Sequence, residues 1–324
     1  MRILVTGGAG FIGSHLCESL LAQAHQVTVV DNLSTGRRSN LRAVEGQIRF
    51  LEADLSDALD ELAEESFDQV YHLAAAVGVK LVVERPIHTI ETNVEQTAKL
   101  MRWANQHGAA TLLASSSEVY GKGTRLPFRE EDDVLYGPSS CPRWAYACTK
   151  AIDEYLGLAY HAQHGLPVVI ARFFNTVGPR QIGEYGMVLP RFVRAALLNE
   201  TISVHGDGKQ TRSFCDVRDV APLLPRLLGT AECHGGVFNV GSEKRISIMH
   251  LAQTVVSTLR SSSEIHLVPY EEAFGPSFED LRERQPDLTA VRARCGFDPT
   301  IPLEQTIEDL AAEIRSKMPT SATE

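Results

Sequence analysis

The chain of 324 residues lacks several features that would place it in a specialised class of protein. It has no apolar run close to the roughly 20 residues that span a bilayer, so we expect no membrane helix. Its six cysteines include no Cys-x-x-Cys pair, and we interpret them as reduced thiols of a cytoplasmic protein. A formal charge of −10 without any basic run argues against a nucleic-acid partner.

The sequence also offers little that could bind a metal or direct export. Its eleven histidines are scattered, and the pair His161 and His164 lacks the cysteine or carboxylate neighbours of a metal site. An apolar strand pattern begins at Arg2, so we expect no signal peptide. We therefore predict neither a metal site nor secretion. The indications of function come from motifs within the alternating apolar and amphipathic segments.

The first residues form a dinucleotide-binding pattern. The apolar run Arg2–Thr6 predicts a buried parallel strand, and Gly7, Gly10 and Gly13 follow it at once. Glycines in this place allow a tight turn and let the backbone approach a pyrophosphate at the start of the next helix, which we predict over 14–22. The spacing therefore indicates a nucleotide cofactor held by the first turn of the fold.

The acidic residue after the second strand selects the cofactor. A strand predicted over 26–30 ends at Asp31, about 20 positions beyond the glycines. A carboxylate there accepts hydrogen bonds from an adenosine ribose and repels a 2′-phosphate. The pattern predicts NAD rather than NADP, although Arg37 or Arg38 could each serve a phosphate.

The alternation of strands and helices continues well beyond this fingerprint. The apolar runs predict further parallel strands over 48–51, 68–74, 111–115 and 167–172, and a strand that returns to the sheet over 237–240. Helical spacing predicts helices over 86–106, 145–163, 189–199 and 247–260. The sequence therefore predicts an α/β fold, a Rossmann doubly wound parallel sheet with a smaller α+β lobe.

A tyrosine and a lysine on one predicted helix supply the candidate base. Tyr146 and Lys150 are four residues apart and so share a helix face. A free phenol titrates near about 10, and we expect the Lys150 ammonium to lower the pKa of Tyr146. Ser116 is predicted just beyond the strand over 111–115, where ligands of such sheets collect, and can pass the proton. This equipment suits oxidation of a sugar or alcohol hydroxyl, and Glu118 can act one carbon further along.

These residues lie in segments that resemble those of the extended short-chain dehydrogenase/reductases, which act on nucleotide-diphosphate sugars. The resemblance covers nearly the whole chain and implies an NAD-dependent enzyme. It further implies a homodimer in which helices near 86–106 and 145–163 pack as a four-helix bundle. The segments that carry it are Thr6–Gly13, His72–Ala75, Ser115–Gly121, Tyr146–Lys150, Arg172–Asn175, Gln210–Phe214, Asp219 and Arg284–Asp287.

The resemblance implies roles for individual side chains, and Asn93 is expected to support the backbone of the active site. The expected catalytic residues are Ser116, Ser117, Glu118, Tyr146, Lys150 and Arg284. The expected NAD-binding residues are Gly7, Gly10, Phe11, Ile12, Gly13, Asp31, Asn32, Asp54, Leu55, Leu73, Ala74, Ala75, Asn93, Tyr146 and Lys150. The expected substrate-binding residues are Lys80, Asn175, Val188, Arg191, Arg212 and Arg284.

The same resemblance divides the chain into two interleaved parts. Residues 1–175 are expected to form the NAD-binding Rossmann domain, with a returning segment at about 215–244. Residues 176–214 and 245–318 are expected to form the lobe that binds the nucleotide sugar. The substrate would then lie between the two parts, over the strand ends.

Enzymes of this family share their opening step and then diverge. Tyr146 is expected to take the proton from the sugar 4-OH while C4 loses a hydride to NAD⁺. The 4-ketone that results acidifies C5 and labilises a C5 carboxylate. An epimerase rotates the ketosugar, a 4,6-dehydratase expels the 6-OH, and a decarboxylase releases CO₂ from a uronic acid.

Two short motifs favour a UDP-glucuronic acid decarboxylase. The segment 116–118 reads Ser-Ser-Glu, whereas the decarboxylases and GDP-mannose 4,6-dehydratases carry Thr-Ser-Glu and simple 4-epimerases usually lack the carboxylate. The dTDP-glucose 4,6-dehydratases carry Thr-Asp-Glu, and Ser117 lacks the acid that protonates a leaving hydroxyl. The segment Pro142–Trp144 resembles the decarboxylase of aminoarabinose synthesis, and Gln210–Cys215 resembles the UDP-xylose synthases. Arg284 matches an arginine of the decarboxylase of aminoarabinose synthesis that is regarded as an acid or as a cation on the C5 side.

Other reactions stay open. The segment Val77–Lys80 is nearer to the Gly-Val-Arg of uronate 4-epimerases, and Lys80 could hold a carboxylate or a phosphate. A 4-epimerase of a UDP-hexose or uronate and a 4,6- or 5,6-dehydratase are therefore alternatives. A non-catalytic NAD-binding sensor or scaffold is an alternative of another class, but such proteins typically lose the tyrosine or the lysine that this chain retains.

Overall fold

The computed structural model describes residues 1–76, 85–183, 187–274 and 281–318. In chain order, the strands of these residues are β1 (Arg2–Thr6), β2 (Gln26–Asp31), β3 (Ile48–Glu52), β4 (Gln69–His72), β5 (Ala110–Ser116), β6 (Val168–Phe173), β7 (Thr176–Val177), β8 (Ile202–His205), β9 (Thr211–Ser213), β10 (Cys215–Asp216), β11 (Gly236–Val240), β12 (Arg245–Ser247) and β13 (Ile265–Val268).

The α-helices of the same residues alternate with these strands. They are α1 (Phe11–Ala22), α2 (Leu55–Glu61), α3 (Pro86–His107), α4 (Arg143–His164), α5 (Val188–Leu198), α6 (Val217–Val220), α7 (Leu223–Gly229), α8 (Ile248–Leu259), α9 (Tyr270–Phe274), α10 (Thr289–Cys295) and α11 (Leu303–Lys317). Single-turn or short 3-10 helices cover Arg38–Val44, Ser117–Tyr120 and Ala231–Cys233. Within the described ranges, no helix is both long and apolar enough to cross a membrane.

Seven of the described strands form one parallel sheet in the order β11-β6-β5-β4-β1-β2-β3. The strand order reverses between β1 and β4, and ligands of open α/β sheets bind at the carboxyl ends beside such a reversal. The late strand β11 pairs in parallel with β6, as the sequence predicts. The prediction of a Rossmann doubly wound sheet is therefore confirmed.

The sheet is covered on both faces, which explains why its strands are almost wholly apolar. In β1, Ile3 and Val5 pack in one cluster with Leu16 of α1 and Leu224 of α7. Between them, Leu4 points to the opposite face and packs with side chains of α2 and α3. Successive strand residues point to opposite sides of a sheet, so a continuous apolar run serves both layers.

Helix ends follow local sequence signals. Pro86 begins α3, where the missing amide hydrogen leaves no helical bond unmade. Gly108 ends α3 at a φ of 65° and Gly165 ends α4 at a φ of 68°, a left-handed conformation that favours glycine. These signals fix both long helices to within three residues of their predicted bounds.

A third apolar cluster lies beyond the sheet. It joins α5, α8 and α11 around the short parallel pair β8 and β13, with Val193, Val204 and Leu251 fully buried. Two further short pairs, β7 with β10 and β9 with β12, lie in the same part of the sequence. The division of the chain at 175, 214 and 244 stays a prediction.

Most element boundaries differ by a residue or more from those predicted, and two of these differences affect the cavity. Helix α1 begins at Phe11, because Ser14 already donates its amide hydrogen to the Gly10 carbonyl and the glycine turn runs directly into the helix. Ser116 is the last residue of β5 instead of the first beyond it, and its hydroxyl caps the following 3-10 helix by accepting from the Glu118 amide at 3.2 Å.

A buried ion pair fixes α4 to the sheet. Arg172 of β6 donates to both carboxylate oxygens of Glu154 in α4, at 2.9 and 2.7 Å. Both side chains are at most 8% exposed, and the Ser115 hydroxyl also donates to Glu154. The guanidinium lies 4.7 Å from the centre of the Tyr120 ring. A buried pair of this kind leaves an uncompensated charge when one partner is removed.

We therefore predict that Arg172→Met lowers the free energy of unfolding by about 3–5 kcal/mol, because the Glu154 carboxylate would stay buried without its partner. Urea denaturation followed by circular dichroism measures this loss. Arg49→Gln is the matched control, because Arg49 pairs with Glu65 while 43% exposed, and less than about 1 kcal/mol should be lost. A loss for Arg172→Met no larger than for this control would contradict the prediction.

Candidate active site

A cavity of about 870 Å³ opens at the carboxyl ends of the sheet strands. Its walls come from the glycine turn, from the ends of β2, β4, β5 and β6, and from the first turns of α4 and α5. Every predicted site residue within the described ranges lines this cavity except Asn93. Lys80, in the predicted segment Val77–Lys80, lies outside the described residues.

The glycine turn is packed too closely for side chains. Gly7 has a φ of +71°, and a Cβ placed on it would lie 2.6 Å from the Ala74 amide nitrogen. A Cβ on Gly13 would lie 2.2 Å from the Gly7 carbonyl oxygen. The first turn of α1 therefore presents bare backbone to the cavity, as a pyrophosphate at a helix N-terminus requires.

The end of β2 provides the polar groups for a ribose. The Asp31 carboxylate accepts from the Ala9 amide at 2.9 Å and from the Leu33 amide at 2.8 Å, which holds it at the cavity wall. Burial raises the pKa of Asp31, although these backbone hydrogen bonds oppose the rise. Each oxygen keeps acceptor capacity for a hydroxyl. Asn32 donates to Asp54 at 2.6 Å on the same side.

The arginines that could have favoured NADP are arranged unequally. Arg38 lies 3.6 Å from the Glu52 carboxylate and 5.3 Å from the Phe50 ring centre, so its charge is directed to the sheet edge. Arg37 does line the cavity. With Asp31 fixed at the ribose position, the residues present fit NAD.

Asn93 acts from behind the cavity wall. Its side-chain oxygen accepts from the Ala76 amide at 2.8 Å, and its amide donates to the Thr149 hydroxyl at 3.2 Å. Asn93 thus joins the segment after β4, which includes Leu73, Ala74 and Ala75, to the helix of Tyr146. The predicted role of Asn93 as a support for the backbone matches this position and does not require contact with a ligand.

Tyr146 and Ser116 meet at the floor of the cavity. Tyr146 lies in the first turn of α4, and Ser116 ends β5. Burial raises the pKa of Tyr146 well above its usual value, and the nearby Glu118 carboxylate raises it further, whereas a hydrogen bond with Ser116 lowers it. Burial and Glu118 therefore oppose ionisation of the phenol, and the hydrogen bond with Ser116 favours it.

The lysine has a buried carboxylate partner. The Lys150 ammonium lies 3.2 Å from the Asp153 carboxylate, and both side chains are buried. Burial dominates the pKa of Tyr146 and Asp153 adds to its rise, and the expectation that Lys150 lowers this pKa stays a prediction. Sequence reasoning missed Asp153, since its position three residues after Lys150 is also that of an ordinary surface pair.

Glu118 lies between two arginines. Arg284 donates to one carboxylate oxygen at 2.5 Å, and Arg143 donates to the other at 3.4 Å. Burial alone would raise the pKa of Glu118, but Arg284, Arg143 and Arg212 together lower it below its usual value. Glu118 is thus ionised at neutral pH and interacts with three guanidinium groups.

The remaining predicted substrate residues line the cavity on the side of α5. Asn175 donates to the Ser213 carbonyl at 3.1 Å, and Arg212 donates to the Thr211 carbonyl at 2.8 Å. Arg191 donates to the Ser203 carbonyl at 3.3 Å, and Val188 is the first residue of α5. Ser117 is buried at the start of the 3-10 helix. Their roles in binding or catalysis stay predictions.

Arg143 is the main functional candidate that sequence reasoning missed. The segment Pro142–Trp144 carries a family resemblance, but nothing in its spacing indicates that Arg143 reaches Glu118, 25 positions earlier in the chain. In the described part of the chain, no group of three or more histidine, cysteine or acidic side chains could hold a metal ion.

Comparisons with known proteins agree with this geometry. The model of the NAD dependent epimerase/dehydratase family matches residues 3–241. The UDP-N-acetyl-alpha-D-glucosaminuronate decarboxylase of Bacillus cytotoxicus is 42% identical over 311 residues, which are 95% of this chain and 96% of that protein. UDP-glucuronic acid decarboxylase 5 of Arabidopsis thaliana is 36% identical over 98% of this chain and 90% of that protein.

One of the similar solved structures contains bound ligands. The UDP-glucuronic acid 4-epimerase of Bacillus cereus, in complex with UDP-glucuronic acid and NAD, has a TM-score of 0.87 and 27% identity. The match covers 98% of this chain and 99% of that one. Together with the family match, this complex confirms the prediction of NAD as cofactor. The relatives are enzymes, which argues against a non-catalytic sensor or scaffold.

We predict that Gly13→Ala abolishes tight binding of NAD⁺, because the new methyl group would displace the Gly7 carbonyl in the turn. We expect the displaced backbone to cost about 3 kcal/mol of binding free energy, which corresponds to about 100-fold weaker binding. Isothermal titration calorimetry with NAD⁺ measures the change. Gly229→Ala is the control, since nothing lies within 4 Å of a Cβ there. Unchanged affinity in Gly13→Ala would show that the turn does not hold the cofactor.

Proposed function

Because the chain belongs to the NAD dependent epimerase/dehydratase family, we propose that it is a UDP-uronic acid decarboxylase. In this proposal it oxidises the sugar at C4 and releases the C5 carboxylate as CO₂. UDP-glucuronic acid and its 2-acetamido counterpart are the two candidate substrates, since relatives named for each lie at 36% and 42% identity. The product is a UDP-pentose or its 4-ketone.

The observation that carries this proposal is the position of Glu118 between Arg143 and Arg284. Two guanidinium groups, 7% and 11% exposed, converge where the cavity meets Ser116 and Tyr146. Guanidinium groups bind carboxylates by charge-assisted hydrogen bonds, which strengthen when water is excluded. A uronate carboxylate at C5 offers these guanidinium groups an anionic acceptor, whereas a neutral CH₂OH group offers none.

The side chains then divide the chemistry between C4 and C5. Bound NAD⁺ supplies the acceptor for the hydride from C4. In its ionised form Tyr146 accepts the 4-OH proton, with Ser116 in the same hydrogen-bonded unit. The C4 carbonyl labilises the bond from C5 to its carboxylate, so this bond breaks, CO₂ leaves, and the electron pair passes into an enolate that is then protonated at C5. Arg143 and Arg284 orient the carboxylate for this step.

Epimerisation at C4 is the alternative with most structural support. The Bacillus cereus 4-epimerase with UDP-glucuronic acid shares the whole fold with this chain. An epimerase needs the C4 step alone, because C5 is untouched. The two proposals therefore differ in whether all carbons of the sugar are kept.

We expect that incubation with NAD⁺ and each of the two UDP-uronates yields a product lighter by one CO₂, detected by mass spectrometry. UDP-glucose is the control substrate and should keep its mass, because it has no C5 carboxylate. A product of unchanged mass that NMR identifies as the C4 epimer would replace decarboxylation by epimerisation. No conversion of either uronate would contradict the proposed substrate class.

We predict that Arg143→Gln raises the KM for the UDP-uronate at least about tenfold, because a carboxylate loses one charge-assisted partner worth about 1.5–3 kcal/mol. Steady-state kinetics measure this change, and calorimetry with UDP alone should show unchanged affinity. Tyr146→Phe is the comparison variant. It should lower kcat by several orders of magnitude and leave uronate affinity nearly unchanged, since it removes the base and leaves Arg143 and Arg284 in place. Equal KM values for Arg143→Gln and the wild type would contradict a role of Arg143 in binding the uronate carboxylate.

A homodimer belongs to the same proposal. Ile87 and Ile90 of α3 and Ile152 and Tyr155 of α4 are exposed apolar side chains on two neighbouring helices, and Ile87 and Tyr155 are 70% and 71% exposed. Packing of these helices against a second copy would bury them in a four-helix bundle. Light scattering should give twice the chain mass of 35.6 kDa. Tyr155→Glu should shift the protein towards the monomer, and a monomeric wild type would refute the proposal.

A cytoplasmic location completes the proposal. All six cysteines are free, and four of them are buried. Unpaired thiols are typical of a reducing compartment. Fractionation of cells that produce the protein checks this location, and recovery with secreted proteins would contradict it.

A further inference from the structure

Lys150 lines the cavity and is held by Asp153, a carboxylate that the reaction outlined above does not use. The Lys150 ammonium lies 3.2 Å from an Asp153 oxygen, and the two side chains are 3% and 4% exposed. They are three residues apart on α4, one turn beyond Tyr146. Removal of either partner of a buried ion pair destabilises the fold, because it leaves an unmatched buried charge.

Polar side chains from three other elements adjoin the pair. Thr97 of α3 contacts the Asp153 carboxyl, and the Thr97 hydroxyl is 3.2 Å from His72 Nε2. His72 Nδ1 in turn lies 2.7 Å from the hydroxyl of Thr6, the last residue of β1. Burial, with a smaller contribution from Lys150, lowers the pKa of His72 to about 3, so His72 is neutral at physiological pH.

Among the described residues, few acidic groups face Tyr146 and Lys150. Glu118 on the 3-10 helix and Asp153 on α4 both raise the pKa of Tyr146. Glu154 is next to Asp153, but its own charge is matched by Arg172. Glu118 is likewise matched by Arg284 and Arg143. Asp153 is thus the acidic group whose charge is matched by Lys150 itself.

This arrangement has two opposing consequences. Asp153 keeps a cation buried beside the base and fixes its side chain along α4. The same negative charge offsets much of the ammonium's field at the phenol, so the base is harder to ionise than it would be beside an unmatched lysine. The position and the electrostatic effect of Lys150 are therefore both set by one residue.

We propose that Asp153 is a positioning residue of this active site: its carboxylate holds Lys150 in place on α4 and sets the net charge that faces Tyr146. The inference rests on the proposed function only in taking Tyr146 as the base. It does not depend on which sugar is converted, or on whether C5 loses CO₂.

Ultraviolet difference titration of tyrosinate absorbance tests the proposal without any substrate. Each protein is titrated against its own Tyr146→Phe counterpart, so that the difference reports Tyr146 alone among the eight tyrosines. Asp153→Asn keeps the shape of the side chain and removes its charge. The pKa of Tyr146 should fall by about one unit, since a neighbouring charge shifts a pKa by about 1–3 units. An unchanged or higher pKa would overturn the proposal.

Two further variants separate charge from packing. Asp153→Glu retains the charge and should titrate close to the wild type, and a fall as large as that of Asp153→Asn would attribute the effect to packing. If Asp153→Asn does not fold, Lys150→Met is compared with Lys150→Met/Asp153→Asn, in which no buried cation is left unmatched. The double variant should show the lower pKa of Tyr146, and equal values would contradict the proposal.

The pH dependence of turnover gives an independent reading. In the holoenzyme with its UDP-sugar substrate, the pH of half-maximal kcat on the acidic side should fall in Asp153→Asn in parallel with the titration. Absence of decarboxylation in the wild type would overturn the proposed function and leave the titration result intact. A titration shift without any shift in the pH dependence of kcat would show that Tyr146 is not the base.

Discussion

The buried pair of Arg172 and Glu154 is the interaction on which the arrangement of the active site depends. It joins β6 to α4, the helix that carries Tyr146 and Lys150, and the Ser115 hydroxyl joins β5 to the same carboxylate. The Arg172 guanidinium also packs over Tyr120, which follows Glu118 by two positions. Three segments that supply catalytic candidates therefore meet at one ion pair.

The same network continues to the fourth segment. The Tyr120 hydroxyl donates to Asn239 of β11 at 2.7 Å, and the Asn239 amide donates to the Asp287 carbonyl at 3.2 Å. Asp287 is three residues from Arg284, the partner of Glu118. The late return of β11 to the sheet thus connects the segment of Arg284 to the strand ends that border the cavity. Such fully bonded buried networks make the geometry specific, whereas partly bonded ones destabilise the fold.

The sequence predicted those parts of the structure that follow from local rules. The glycines, Asp31 and the strand periodicity lie within single βα units, so their positions could be predicted from spacing alone. The contact of Arg143 with Glu118 and the chain from Asp153 to Thr6 could not, because they join elements that meet only after the sheet has formed. The burial that dominates the pKa of Tyr146 could not be predicted for the same reason, since burial depends on the whole fold and helical spacing does not record it.

The central claim is that the two arginines around Glu118 orient a carboxylate which then leaves. The most direct test follows the fate of that carbon, with a UDP-uronate labelled isotopically at its C5 carboxylate and monitored by NMR in the presence of NAD⁺. The account predicts that the label appears as CO₂ and bicarbonate while an unlabelled UDP-pentose or its 4-ketone accumulates. Retention of the label in a six-carbon UDP-sugar would contradict it.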